Sequence, residues 1–508
     1  MPQNELRLQR ALISAYNKDG LDQIARLLHD QSVEIISTGG TQAYIETLGI
    51  PVTAVESLTQ TPSMLGGRVK TLHPKVFGGI LARRDVSDDL KQLDQFEIPA
   101  VDMVLVDLYP FEETLQAGGS HADIIEKIDI GGVALIRAAA KNYEDVLVVP
   151  SRNYYAVLME HLRKGVFDLE FRKRMAARAL SHTSAYDATI AQYLAGEPDP
   201  ESPLTLEFAP GKALRYGENP HQKGYFYGRF HDMLEQVQGK AISYNNLVDV
   251  DAATALVSEF ADTAVAIIKH TNPCGLAVGG ALTDVYDRAL AGDPVSAFGG
   301  IIATNATVDR PTAEKISKLF FEVLIAPAFS VEALEIFEAK SKRILLKQHQ
   351  PNRPAFKYHS ILNGMLVQDN DLQTESRAQM KVVTNAQPDD GQLEDLEFAL
   401  IAGKHAKSNT IVLARDRQLI GIGTGQTSRV DAARQAVEKA RHFEFSLEGA
   451  VMASDAFFPF PDSIAQVQPH GVRAVVQPGG SIRDQESIDF CNQHGLAMVT
   501  TGVRHFKH

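Results

Sequence analysis

The sequence predicts an α/β protein built from more than one domain, and three observations carry that expectation. In the first third, apolar runs with strand character alternate with segments of helical period, the pattern of a parallel sheet covered on both faces. The chain has 508 residues, room for two to four domains at roughly 100–200 residues each. A stretch reading EPDPESP, residues 197–203 with three prolines, then breaks the alternation, as a linker does.

Taken in order, RALISA (10–15) reads as the first strand. In GLDQIARLLHDQ, Leu21, Ile24, Leu27 and Leu28 share one helical face. VEIIS (33–37) is a second strand, followed by the turn TGGT and another helix. VDMVLVDLYP (101–110) is a strong strand whose end is marked by Pro110. GGVALIRAAAKN (131–142) is helical, VLVVPS (146–151) a strand and NYYAVLMEHLRKG (153–165) a helix. A long helical segment running to Gly196 closes the region. The expected organisation is therefore a domain over 1–196, a linker over 197–203 and a second region over 204–508. By the same size argument the second region divides into two similar lobes, about 204–370 and 371–508, with the polar stretch LLKQHQPNRPAFKYHS (345–360) near their boundary. No short tandem repeat is visible.

Composition narrows the class. Hydrophobic residues make up 44% and charged residues 22%, ordinary for a globular enzyme. A formal net charge of -13 argues against nucleic acid or an anionic membrane as a global partner. Clustered Lys and Arg can still hold a small phosphate. The two cysteines, Cys274 and Cys491, cannot make a disulfide framework or an all-cysteine metal site, and they fit a reducing cytoplasm. The N-terminus lacks a signal-peptide core, and no apolar run approaches the ~20 residues of a membrane helix.

Several stretches have the residue types that chemistry needs. TGGT, Thr38, Gly39, Gly40 and Thr41, follows a strand and opens a helix. Its glycines let backbone amides approach a phosphate at a helix N-terminus; a plain tight turn with a cap is the alternative. GGRVKTLHPK (66–75) gathers Arg68, Lys70, His73 and Lys75, an anion site or a solvated basic loop. DLYPF (107–111) puts Tyr109 at a strand end, and IDIGG (128–132) puts Asp129 before a helix that it could simply cap. Lys141 ends RAAAK, where it complements the helix dipole. Together Lys70, Tyr109, Asp129 and Lys141 would make an acid/base set around one ligand. LRYGENPHQ (214–222) offers Arg215, Tyr216 and a turn presenting His221. The GxGxG in GIGTGQTSRVDAARQA (421–436) is a weak dinucleotide signal on its own. The tail RHFKH (504–508) is either disordered or docked at a site.

AIIKHTNPCG (266–275) is the most pointed of these. AVAII reads as a buried strand, and residues 271–275 as a turn. Consecutive Lys269 and His270 face opposite ways in a regular strand; a bend at Asn-Pro would turn both toward one cleft. An unpartnered buried lysine is costly, so an acid or a ligand is expected beside it. Histidine moves protons near neutral pH. A strand end reaching solvent is the alternative.

Taken together these motifs resemble one family, the bifunctional AICAR transformylase / IMP cyclohydrolases of purine biosynthesis, over essentially the whole chain. GGRVKTLHPK, LYPF, IDIGG and RAAAKN match the cyclohydrolase part in order. LRYGENPHQ, KHTNPCG, SAFGGIIA, KSNTIV, GIGTGQTSRVDA, DAFFPFPD, QPGGSIRD and RHFKH match the transformylase part. The resemblance implies a methylglyoxal-synthase-like parallel-sheet domain followed by a duplicated cytidine-deaminase-like α/β domain. It implies two activities: formyl transfer from 10-formyltetrahydrofolate to AICAR, then dehydrative closure of formyl-AICAR to IMP.

The site residues it implies are carried over one by one. For formyl transfer, His270 is the proton acceptor and Lys269 the partner of the developing oxyanion. Arg215, Tyr216, Gly299, Glu322, Asn409, Arg429, Phe457 and Arg504 line the AICAR site; Val430, Asp462, Ser481 and Ile482 line the folate side. For closure, Lys141 moves the proton with Lys70, Tyr109 and Asp129 in support. Ser14, Lys18, Thr38 to Thr41, Arg68, Val69, Thr71, Asp107, Ile130 and Gly131 hold the nucleotide. The implied enzyme is a cytoplasmic homodimer with no tightly bound cofactor. 10-Formyltetrahydrofolate serves as co-substrate, a monovalent cation is an optional addition, and nucleic acid and membrane play no part.

The sequence departs from the family pattern in the cyclohydrolase part. SAYNK (14–18) stands where SVSDK is usual, Asp107 where asparagine is usual, and Tyr143 where histidine is usual. A transformylase with impaired cyclohydrolase, or a non-catalytic purine-nucleotide-binding protein, is therefore kept as an alternative. A zinc deaminase would need a CxxC pair, which the two distant cysteines cannot supply; a Cys274/His270 hydrolase is a further rival.

Overall fold

A computed structural model describes residues 5–67, 69–196, 201, 203–206, 208–209, 211–350 and 354–508. Arg68 and linker residues 197–200 and 202 lie outside the described residues. The chain divides into two compact units, 1–207 and 208–508.

In the first unit the described residues form a sheet of five parallel strands. These are β1 (Arg10–Ala15), β2 (Glu34–Ser37), β3 (Thr53–Ala54), β4 (Met103–Asp107) and β5 (Leu147–Val149), in the order β3-β2-β1-β4-β5. Side chains alternate across the sheet. Ala11, Ile13, Met103 and Leu105 join the core on one face; Leu12, Val104 and Val106 join the core on the other. That is why β4 is a continuous apolar run. Helices α1 (Leu21–Asp30), α2 (Gly39–Thr47), α3 (Gly131–Lys141) and α4 (Leu169–Ala195) cover the sheet. Leu21, Ile24 and Leu28 of α1 are buried as their spacing predicts. Asp168 caps α4 by accepting from the Phe171 amide at 2.6 Å.

In the second unit the described residues form one mixed sheet of twelve strands. They are β6 (Leu234–Gln238), β7 (Ala264–Lys269), β8 (Asn272–Val278), β9 (Gly300–Thr304), β10 (Phe321–Ala326), β11 (Ile344–Gln348), β12 (Lys381–Val382), β13 (Ile411–Arg415), β14 (Gln418–Gly423), β15 (Val451–Ser454), β16 (Ala474–Gln477) and β17 (Ala497–Thr500). Their order is β6-β11-β10-β9-β7-β8-β14-β13-β15-β16-β17-β12. The two halves repeat one plan. Each has an antiparallel hairpin, β7–β8 or β13–β14; a strand antiparallel to the hairpin, β9 or β15; and two further parallel strands. The halves join where β8 meets β14. Helices α5 (Tyr244–Val257) and α7 (Asp390–Lys404) occupy equivalent places and cover a core shared by both halves. The other face has two cores, one under α6 (Leu282–Ala291) and one under α8 (Arg429–His442). A two-stranded ribbon, Phe356–Ile361 and Gly364–Asp369, occupies part of the polar stretch between the halves, with Leu362 and Leu366 exposed.

One expected turn is corrected. Asn272 to Gly275 opens β8, and the turn is His270–Thr271 alone. The proline is tolerated because the ladder slips there: Ile267 pairs with Gly275, but Ile268 pairs with Pro273. Such a bulge is where a strand accepts a proline. The Cys274 thiol points inward to the Ile267 carbonyl. A side chain on Gly275 would meet the Ala289 carbonyl, so α6 packs directly on the backbone.

Candidate functional site

Ligands of parallel sheets sit beyond the strand carboxyl ends, and in the first unit the loops after β1, β2 and β4 converge there. The Thr41 hydroxyl, buried, donates to the Ala15 carbonyl at 2.9 Å and accepts from its amide at 3.1 Å, so it fastens the loop. Thr38 donates to Glu56. Gly39 (φ +56) is close-packed by Lys70: a Cβ there would lie 3.0 Å from Nζ. The space around Gly40 is open. Thr71 approaches Gly131 as closely, since an added Cβ would lie 2.9 Å from its hydroxyl. Thus the 38–41 and 69–71 loops and the start of α3 meet around one hollow, with Ile130 exposed beside it.

Asp129 does cap α3, accepting from the Gly132 amide at 2.7 Å, and the Tyr109 amide also bonds its carboxylate. Burial nonetheless pushes the Asp129 carboxyl up from its ordinary range. Burial, then the Asp129 and Glu126 carboxylates, push the Tyr109 phenol up, so it keeps its proton at neutral pH. Lys141 stands apart from this group. It is exposed at the last residue of α3, while Asp129 lies just before the first. Ten helical steps put about 15 Å between the ends of the helix, so any ligand that Lys141 and Asp129 share has to span it.

The departures have local explanations. Tyr16 packs its ring edge-on against Tyr109, centroids 5.6 Å apart. Asp107 accepts from the Asn17 amide at 3.0 Å, tying the Ser14–Lys18 loop to β4. Burial pulls the Lys18 ammonium down and Asp107 partly restores it; its Nζ donates to the carbonyls of Ala15 and Tyr16. Tyr143 lies beyond Lys141 at the far end of α3, its carbonyl accepting from Arg172.

In the second unit the pairing directions decide which strand ends share an edge of the sheet. β7, β14, β15, β16 and β17 run one way; β8, β13, β9, β10 and β11 run the other. One edge therefore collects Lys269 and His270 at and just after the end of β7, Gly299 before β9 and Glu322 at the start of β10. It also collects Asn409 before β13, Arg429 and Val430 after β14, Phe457 and Asp462 after β15, Ser481 and Ile482 after β16, and Arg504 after β17. Twelve expected site residues stand on one edge because the duplicated fold alternates its strands.

Close contacts bind this edge. Lys269 Nζ donates to the Phe298 carbonyl at 2.9 Å, and a Cβ on Gly299 (φ +69) would lie 3.2 Å from it. Its partner within the chain is thus a carbonyl and not an acid, where an acid or a ligand was expected. His270 is exposed, and its ring makes no hydrogen bond among the described residues. Asn272 Oδ1 accepts from the Lys407 amide at 2.9 Å, bringing the first half's turn beside the Asn409 loop. Asn409 donates to Gln426 across a cis Ser408–Asn409 peptide. Arg429 is committed to Ser454 at 2.8 Å and to buried Asp455 at 2.7 Å. The tail is docked. His505 bonds Asp371 and Glu375, each at 2.7 Å, and its amide donates to the Asp455 carbonyl. Glu322 pairs with Lys240 at 2.6 Å. Arg215 stacks over Tyr216, and its loop borders a pocket of about 310 Å³ with His221 and Lys223. Asn245 at the start of α5 donates to Glu218 of that loop. Cys274 is buried and its thiol pushed by that burial up to about 12, which leaves no thiolate for a cysteine hydrolase.

Sequence reading missed four contributors. Lys127 lies over the rings of Tyr16 and Tyr109, 5.3 and 6.0 Å from their centroids. Tyr186 of α4 accepts from the Asp129 amide and donates to the Lys127 carbonyl. Asp455 anchors Arg429. Asp249 of α5 accepts from the Thr271 amide at 2.7 Å. Each is a single residue with no local pattern; only the acidic start of DAFFPFPD gave a signal.

Comparison with known proteins adds an independent line. The family described as AICARFT/IMPCHase bienzyme matches residues 139–439, and the MGS-like domain matches 20–134. Relatives named bifunctional purine biosynthesis protein PurH align along nearly the whole chain. That of Bacteroides thetaiotaomicron is 53% identical over 99% of this chain and 99% of its own. Those of Oceanobacillus iheyensis and Rhodospirillum rubrum are 44% and 47% identical, over 98% and 99% of this chain and all of theirs.

Proposed function

The chain belongs to the AICARFT/IMPCHase bienzyme family, and on that premise we propose how its two units divide the family's chemistry. The protein is a bifunctional purine-biosynthesis enzyme, an AICAR formyltransferase and IMP cyclohydrolase acting in the last two steps of IMP formation. 10-Formyltetrahydrofolate is the co-substrate.

Formyl transfer belongs to the His270 edge of the second unit. The AICAR amine attacks the formyl carbon, a C–N bond forms, and the carbonyl oxygen gains charge. Lys269, held between the Phe298 carbonyl and Gly299, steadies that oxygen. The arylamine must lose a proton, and His270 accepts it. The bond to folate N10 then breaks, N10 takes a proton, and tetrahydrofolate leaves. Arg215, Tyr216, Gly299, Glu322, Asn409, Arg429, Phe457 and Arg504 hold the nucleotide in this reading, and Val430, Asp462, Ser481 and Ile482 the folate. The single observation that carries it is the exposed His270 imidazole, with no ring hydrogen bond among the described residues, next to Lys269 on the edge that also bears Gly299, Glu322, Asn409, Arg429, Phe457 and Arg504.

Closure belongs to the hollow of the first unit. The carboxamide nitrogen attacks the formyl carbon and water departs, a reaction that asks for proximity, a proton donor, a proton acceptor and a held oxyanion. The Tyr109 phenol donates, Asp129 accepts, and Lys70 faces the developing charge. Ser14, Lys18, Thr38 to Gly40, Val69, Thr71, Ile130 and Gly131 surround the nucleotide. Lys141, at the last residue of α3, is a further proton-transfer group in this reading. The local pairing of Tyr16 and Asp107 favours two working activities over an impaired cyclohydrolase.

Asp455 is where a monovalent cation would find a ligand, because its Oδ2 is buried with no hydrogen-bond partner among the described residues. No group of three or more His, Cys, Asp or Glu that could hold a metal forms among the described residues. We place the enzyme in the cytoplasm as a homodimer; the free thiols of Cys274 and Cys491 and the exposed apolar ribbon support this. No helix among the described residues is long and apolar enough to cross a membrane.

The direct test supplies AICAR and 10-formyltetrahydrofolate and follows tetrahydrofolate and inosinate separately. Both are expected to appear. Tetrahydrofolate without inosinate would remove closure; neither would remove the whole reading.

A further inference from the structure

The turn that presents His270 is conformationally unfavourable. His270 (φ 51) and Thr271 (φ 63) are both left-handed, as a two-residue type I′ hairpin requires. Such turns favour Asn-Gly or Gly-Gly, and a β-branched residue there is an outlier. Left to itself, the His-Thr pair would relax toward other turns and carry the imidazole with it. Something must over-determine it.

The duplication shows what does. The second half's hairpin turns at Asp416 (φ 55) and Arg417 (φ 51), again with no glycine. There Asp395 accepts from both turn amides, at 2.9 and 2.6 Å. Asp395 is the sixth residue of α7, and Asp249 is the sixth residue of α5. Asp249 accepts from the Thr271 amide at 2.7 Å. One carboxylate, at one place on one helix, clamps a strained turn in each half.

We infer that Asp249 is a positioning residue for formyl transfer, holding the His270–Thr271 turn in the left-handed form that aims His270 at the substrate amine. It touches no reacting atom. The inference rests on His270 being the proton acceptor.

The test measures formyl-transfer kcat and the KM for AICAR in the full-length enzyme. Asp249→Ala is expected to lower kcat by about ten- to a hundredfold with KM changed less than about threefold, as a small misplacement does. Asp249→Asn, which keeps an acceptor oxygen, is expected to retain kcat within about fivefold. Glycine adopts positive φ without strain, so adding Thr271→Gly to Asp249→Ala is expected to restore most of the lost kcat. Asp395→Ala is expected to lower the melting temperature and leave kcat unchanged. Wild-type kcat in Asp249→Ala, or a loss that Thr271→Gly does not relieve, overturns the inference. If Asp249→Ala does not fold, the double variant decides alone: kcat within about fivefold of wild type supports the clamp, and a larger loss overturns it. His270→Ala, run alongside, separates the two levels: if it keeps formyl transfer, the underlying reading fails instead.

Discussion

At one edge of the twelve-stranded sheet the hairpin turns at His270–Thr271; at the opposite edge, in the equivalent place, it turns at Asp416–Arg417. Both turns are left-handed and both are held by an aspartate from the covering helix. Their side chains differ in what they are free to do. Arg417 pairs with Asp262 at 2.6 Å and presses on Gly279, where a Cβ would meet its guanidinium. Arg288 donates to the carbonyls of Val278, Gly279 and Asp416. The polar groups of that edge satisfy one another. At the first edge the His270 ring is left for a ligand, while Lys407 ties to Asn272 and Ser408 to Lys507 of the tail around it. The fold supplies the backbone device twice; the residues seated in it decide which copy does chemistry.

The two edges differ most in their ion pairs. Arg429–Asp455 is nearly sealed, with 10% and 0% of the side chains exposed; Arg417–Asp262 is open, at 33% and 61%. Removing one partner of a buried pair costs about 3–5 kcal/mol, whereas an open pair contributes about 0–1 kcal/mol. Urea unfolding should therefore show a large loss for Asp455→Ala and a small one for Asp262→Ala. Equal losses would mean that the edges are not built differently.

The next effect concerns the joint between the halves. Glu259, just past α5, bonds Lys404 at 3.0 Å and His405 at 3.1 Å at the end of α7. Burial pushes its carboxyl up, but hydrogen bonds from His405, Lys404 and Thr374 outweigh that and bring it to about 2. Burial also pulls His405 down, so it serves as a neutral donor beside the Glu259–Lys404 pair. A carboxyl depressed on folding contributes stability above its ordinary value of 4.5, and that contribution fades as pH falls toward about 2. Wild type should lose stability between pH 5 and 3 more steeply than Glu259→Gln. Parallel pH curves would remove Glu259 from the joint.

Much of this was legible in the residues. The strand–helix alternation of the first unit follows from Met103–Val106, buried on both faces, and from the spacing of Leu21, Ile24 and Leu28. The duplicated half-sheets were less so, because β8 begins with Asn-Pro and looks like a turn until the bulge opposite Ile267 and Ile268 is seen. The segments that carry Lys70, Tyr109 and Asp129 could be picked out as loops at strand ends and helix starts. Lys141 was grouped with them by residue type, and the structure places it at the other end of the same helix. Asp249 could not be found from sequence: one aspartate inside a helix carries no signature until the turn it clamps is placed beside it.

The most direct measurement is a pair of assays on His270→Ala, one supplying AICAR and 10-formyltetrahydrofolate, the other supplying formyl-AICAR. The account predicts that tetrahydrofolate release falls by about 10²–10⁴-fold while inosinate forms from formyl-AICAR at the wild-type rate. Formyl transfer at the wild-type rate, or loss of both activities in a folded protein, would contradict it.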